Sequence, residues 1–422
     1  MTGAPSVRTL ENGVTLICDP VPGFETLALS VVAGRGARWE DSAQSGWSHL
    51  LEHMVFKGAG GRSALQIVEA IENGGGQLNA ATGHERTSFQ VRALAGGLPL
   101  AMEITADLVQ RPALDVGDLA REKHVVQQEI AEAADTPDDQ VFECAQAAAF
   151  RDQPLGRPIL GSAASLAPVT PDGLEAWRAA LYAPDRLVVS VAGAVDEEAF
   201  VALAAERFTD TAAAATPAAA PAAFHGGTMF EARKLEQSHL VFLLPAPGIS
   251  DPAYWALRLF AELLGGGMSS RLFQEARERL GLAYAIDAYA DGYADVGVLG
   301  IYAGCAAKDA GRLAQVAAGE LRGLANRVEA VELARGKAQL KASLFMGRES
   351  LLNRAEQAAA QHLAFGRLFA PTEIAGAIDA VTVDDLIALG SRMLAPGRCA
   401  VSALGPKSAN AAAARFEAAL FG

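Results

Sequence analysis

Hydrophobic positions along this chain repeat with two periods. Short apolar runs bounded by turn residues, such as Thr26–Ala33 and Leu187–Gly193, predict strands. Longer stretches with apolar residues every three or four positions predict helices. Residues 115–134 form one such stretch, with Leu119, Val125, Val126, Ile130 and Ala133 on a single stripe. Another runs through His49 and His53.

The pattern occurs twice. The strand at Thr26–Ala33 is followed by a turn and the helix through His49 and His53. A strand at 239–245 is followed by a turn at 248–252 and a helix at 253–264. Each half also closes alike. Leu187–Gly193 leads into a helix ending at Phe208, and 399–405 into one ending at Phe416. Between the halves, residues 212–223 are alanine, proline and threonine, which suits a linker and not a core element. This gives an N-terminal domain at 1–210, a linker at 211–227 and a C-terminal domain of the same fold at 228–422. Strands and long helices mix without strict alternation. The expected class is α+β, two domains related by duplication, each an antiparallel sheet with helices on one face.

Composition narrows the function. Hydrophobic residues make up 51% and charged residues 20%, as in a folded globular chain. The net charge of −14 argues against nucleic acid as a partner, because phosphate binding needs concentrated Lys and Arg. Cys18, Cys144, Cys305 and Cys399 are too sparse for a disulfide framework, and none are at metal-ligand spacing. No apolar run reaches the 18 or so residues of a membrane span, and the first eight residues carry no signal pattern. A cytoplasmic protein without a membrane partner is expected.

The chemistry concentrates at His49-Leu50-Leu51-Glu52-His53. On a helix, positions i and i+4 share a face, so both imidazoles reach one ion. Glu52 stands beside them. Zinc held by three protein ligands keeps a fourth position for water and lowers its pKa to about 7. A neighbouring glutamate then serves as general base. The order H-x-x-E-H is an inverted zinc-peptidase motif. The third ligand is open on residues alone: Glu122 and Glu129 both fall inside the apolar stripe of 115–134, where a carboxylate needs a partner or a metal.

With these residues in view, the sequence resembles the pitrilysin/insulinase family of metallopeptidases, most closely its short two-domain members such as the β-subunit of mitochondrial processing peptidase and bacterial relatives. The resemblance covers nearly the whole chain. It rests on residues 10–14, on His49–Gly58 with its Phe-Lys-Gly tail, on Gly74–Thr82 and on Gly265–Leu272. It implies a clamp of two domains enclosing a chamber, one Zn2+ per chain on His49, His53 and Glu129, and Glu52 as the base. It implies that Glu122 supports the site from beside the ligands. Asn79 and Ala80 match an edge strand on which an extended peptide lies. Arg277 and Tyr284 match a pair that holds the substrate, with Tyr284 near the scissile carbonyl. The implied activity is a zinc endopeptidase acting on peptides, as a homodimer or with a related non-catalytic chain. The alternative is a non-catalytic substrate-binding or core subunit of the same family, which would be expected to lack the zinc set. The chain departs from its relatives at Trp47, Ser48 and Ala81, which bears on substrate preference.

Overall fold

The computed structural model describes residues 4–210 and 218–422. The chain start and residues 211–217, the first part of the expected linker, lie outside that set. Residues 218–226 form neither helix nor strand.

The strands are β1 (Ser6–Thr9), β2 (Thr15–Pro20), β3 (Thr26–Ala33), β4 (Gly58–Ala59), β5 (Arg62–Ser63), β6 (Gln77–Thr82), β7 (Thr87–Leu94), β8 (Leu187–Gly193), β9 (Gly227–Ala232), β10 (Gln237–Ala246), β11 (Ala283–Gly292), β12 (Gly297–Ala306) and β13 (Ala400–Gly405). β4 and β5 form a small ribbon. The others form two sheets, in the orders β1-β2-β8-β3-β7-β6 and β11-β12-β10-β13-β9. Setting β1 aside, each half contributes five strands in the same spatial order, 1-5-2-4-3 by chain sequence. In each sheet the first and fifth strands are parallel and the other pairs antiparallel. The repeat expected from the sequence is thus a repeat of topology, with one parallel pair in each otherwise antiparallel sheet.

The chain packs into two compact units. One takes Met1–Ala131, Pro158–Ala220 and Met346–Ala370; the other takes Glu132–Arg157, Pro221–Phe345 and Pro371–Gly422. A single boundary in the Ala/Pro stretch therefore does not describe them. Each half lends a helix to the other half's sheet.

In the first unit, Leu27, Leu29, Val31 and Ala33 of β3 pack with Leu50, Leu51, Met54 and Val55 of the helix Trp47–Val55. The opposite face, with Ile17, Ala28, Val32 and Val188, is covered by Leu351, Ala355, Ala358 and Ala359 of the helix Leu351–Phe365. That is why β3 is buried along almost its whole length and does not alternate. Helices from the same half lie on one face, as expected; the lent helix covers the other. In the second unit the helix Pro137–Ala149 does the same, packing Val141, Ala145 and Ala149 on Val241, Leu243 and Leu404. Phe242, facing the other way, stacks on Phe416 with ring centroids 4.2 Å apart. The closing helix there runs Ala411–Phe421, five residues beyond the expected end at Phe416, because no helix breaker intervenes before Gly422.

Candidate metal centre

The helix Trp47–Val55 buries Ser48, Leu50, Leu51, Met54 and Val55, which turns His49, Glu52 and His53 to its less buried side. Its start is pinned. The buried Glu40 carboxylate accepts N–H bonds from Gly46 (2.9 Å) and Ser48 (2.7 Å), satisfying donors that a helix N-terminus leaves free. Gly46 has φ +90, and a side chain there would meet the Leu160 carbonyl, so glycine is required. Trp47 and Ser48, the departures noted above, are anchors. The Trp47 indole donates to the Ser165 carbonyl (3.2 Å), and the Ser48 hydroxyl accepts from the Trp177 indole (3.2 Å).

The rings of His49 and His53 lie 4.7 Å apart between centroids. The helix Val116–Asp135 brings Glu122 and Glu129 to them on one face, two turns apart. One ligand atom each from His49, His53 and Glu129 lies within 4.8 Å of the others. Glu129 Oε2 is 3.5 Å from His53 Nε2, and this buried oxygen has no hydrogen-bond partner among the described residues. Glu122 takes a different place: its Oε2 meets His53 Nδ1 at 3.1 Å. The two glutamates that the helical wheel leaves equivalent thus face opposite nitrogens of one imidazole.

The donor set fits a divalent ion. Two imidazoles and a carboxylate are a zinc-type set, and an orphaned buried carboxylate oxygen beside two ring nitrogens calls for a cation. Burial, with a smaller contribution from His53, pushes the His49 pKa down to about 4, so His49 is neutral at pH 7, the form that binds metal. Burial also raises the Glu52 pKa, partly offset by the bond that the Thr82 hydroxyl donates to Glu52 Oε2 (2.5 Å). Glu129→Gln should therefore cut bound zinc far below one ion per chain, as read by elemental analysis. Unchanged stoichiometry would move the ligand role elsewhere, first to Glu122.

Asn79 and Ala80 lie on β6, the outer strand of its sheet, paired on one side only, to Gln90 and Phe89 of β7. Thr82, the last residue of β6, links this edge to Glu52. In the sequence Thr82 is only the end of the run Gly74–Thr82, and nothing local marks a strand end that reaches a helix thirty residues earlier. Tyr182 is equally unmarked in the sequence; its buried hydroxyl has no partner among the described residues, and burial and the Glu52 charge both raise its pKa.

In the second unit Arg277 is exposed, its guanidinium 4.7 Å above the Phe273 ring. Tyr284 is 63% exposed, at an irregularity on β11, the outer strand of that sheet. Among the described residues, no helix is long and apolar enough to cross a membrane.

Residues 19–163 match the family model described as insulinase (peptidase family M16), and residues 168–340 match the peptidase M16 inactive domain. An uncharacterized zinc protease of Rickettsia felis is 36% identical over 383 residues, 90% of this chain and 93% of that protein. The uncharacterized zinc protease YmxG of Bacillus subtilis is 33% identical over 91% of this chain and 94% of its own. A crystal structure of a protease from Helicobacter pylori superposes with a TM-score of 0.88 at 20% identity, covering 96% of this chain and all of that one. A chain of complex III from Candida albicans superposes with 0.86 at 20% identity, over 98% and 99%. At that identity the two structures speak for the fold alone. The match of both halves to the family models, with relatives above 30% identity along nearly the whole chain, is decisive: this chain belongs to the insulinase family, peptidase family M16, in its short two-domain form.

Proposed function

We propose that the protein is a zinc endopeptidase that cleaves extended peptides or unfolded segments. The observation carrying this reading is the convergence of His49, His53 and Glu129 within 4.8 Å, with Glu52 on the same helix side. His49, His53 and Glu129 would hold the ion. When bound, zinc supplies Lewis-acid activation of water and of the scissile carbonyl.

The chain's own groups do the rest. Thr82 Oγ1 occupies Glu52 Oε2, which leaves Oε1 to take a proton from water and return it to the leaving amine. Glu122 holds His53 through Nδ1, fixing the tautomer that turns Nε2 to the ion. The free edge of β6 suits a peptide adding as a further strand beside Asn79 and Ala80, which would end at Thr82, next to the base. Family resemblance supports a substrate-holding role for Arg277 and Tyr284, with the Tyr284 hydroxyl stabilising the oxyanion. It also supports a homodimer, or pairing with a related non-catalytic chain. The alternative, a non-catalytic subunit, has a relative in fold in the complex III chain, but the intact His/His/Glu set favours the peptidase.

Digestion of a mixed peptide library, with product sequencing and a chelator control, tests this. Chelator-sensitive internal cleavage is expected. Intact peptides at full zinc occupancy would leave the non-catalytic reading.

A further inference from the structure

Three carboxylates, Glu52, Glu122 and Glu129, crowd two histidines, and among the described residues one lysine pairs with them. Lys57 Nζ lies 2.8 Å from Glu122 Oε1, while Glu122 Oε2 meets His53 Nδ1 at 3.1 Å. The Glu122 side chain is 7% exposed and the Lys57 side chain 34%. Lys57 is two residues past the end of the metal helix, and its N–H bonds back to the Met54 carbonyl (3.1 Å), so the lysine is fixed to the element it serves. Among the described residues, no other Lys or Arg makes an ion pair with any of these three carboxylates.

We infer that Lys57 is a positioning residue for the metal centre, acting through Glu122. It holds one oxygen of a buried carboxylate so that the other is committed to the Nδ1 proton of His53. It also keeps Glu122 from swinging toward the ion in competition with Glu129. Deprived of the ammonium, Glu122 is free to rotate away from His53 Nδ1, and it then no longer fixes the imidazole. This inference rests on the zinc reading above.

The test is zinc affinity, measured by chelator competition on the folded full chain, with circular dichroism of the zinc-free form as the check on folding. Lys57→Met should weaken zinc binding roughly 10- to 100-fold, the usual effect of losing a group that supports a ligand. Lys57→Arg, which keeps the charge and a donor, should stay near the parent. In an E122Q background, K57M should add almost nothing, because the two act in series. Parent-like affinity in K57M overturns the inference, as does a K57M effect that persists at full size in E122Q. Should K57M not fold, the comparison of Lys57→Gln with Lys57→Arg decides on the same criteria. A parent chain that binds no zinc overturns the metal reading itself and this one with it. A zinc-binding parent with an indifferent Lys57 overturns this one alone.

Discussion

Glu52→Gln is expected to lower peptide cleavage by roughly 10²- to 10⁴-fold, the usual contribution of a positioned general base, while zinc content and peptide affinity stay at the parent level. The substitution is nearly isosteric. The oxygen of the new amide would still accept the Thr82 hydroxyl, so the end of β6 keeps its tie to the metal helix. His49, His53 and Glu129 are untouched, so the three proposed ligands remain in place. What goes is the second carboxylate oxygen, because an amide NH2 cannot take a proton at neutral pH. Turnover of a peptide identified in the library digest, zinc by elemental analysis and peptide binding by fluorescence anisotropy check the three parts separately. Cleavage at the parent rate would remove Glu52 from the mechanism. Loss of zinc along with activity would show a structural role for Glu52 in the ligand set.

Asp19→Ala should destabilise the first unit by about 3–5 kcal/mol, the effect of stripping one partner from a buried ion pair. Arg354 Nε and Nη2 donate to Asp19 Oδ2 and Oδ1 at 2.8 and 2.9 Å, and the two side chains are 9% and 3% exposed. Arg348, at 4.0 Å from the same carboxylate, adds a second cation that would be left unanswered. The pair ties the helix Leu351–Phe365 to β2, beside the apolar contacts of Leu351 and Ala355 with Ala28 and Ala192. The expected readout is a lower urea midpoint with the metal helix still zinc-competent in the folded fraction. The double replacement Asp19→Leu with Arg354→Met should recover much of the loss, since it leaves no buried charge alone. A single variant that melts with the parent would show that apolar packing alone holds this helix in place.

Legibility in the sequence followed the length scale of each interaction. His49, Glu52 and His53 lie within one helical turn and a half, so their common face could be read from spacing, and the helix lies where expected. Glu122 and Glu129 were found as acids on an apolar stripe, but a wheel assigns a face and not a ring nitrogen. Family spacing points to Glu129; in the structure Glu129 lies beside the two histidines and Glu122 behind one of them, and zinc stoichiometry decides between the two roles. Strand positions came through well: Thr26–Ala33 and Leu187–Gly193 stand as read. The parallel β2–β8 pair did not, because pairing depends on a register between residues about 170 apart. Nor did the Asp19–Arg354 pair, separated by 335 residues, or the exchange of helices between the halves. Short apolar stripes such as Leu351, Ala355 and Ala359 announce that a helix has something to cover, without saying whose sheet it is.

That exchange sets a schedule for the newborn chain. The sheet carrying the helix Trp47–Val55 is continuous by Gly193, yet one of its faces waits for residues 346–370, near the end of synthesis. At about 5–20 residues per second, the roughly 160 residues from Gly193 to Arg354 take about 8–32 s to emerge from a ribosome. For that interval Ile17, Ala28, Val32 and Val188 face solvent or a chaperone. The protein's first half is thus made early but finished late, and truncated products ending in the Ala/Pro stretch should be recognised as incomplete and degraded.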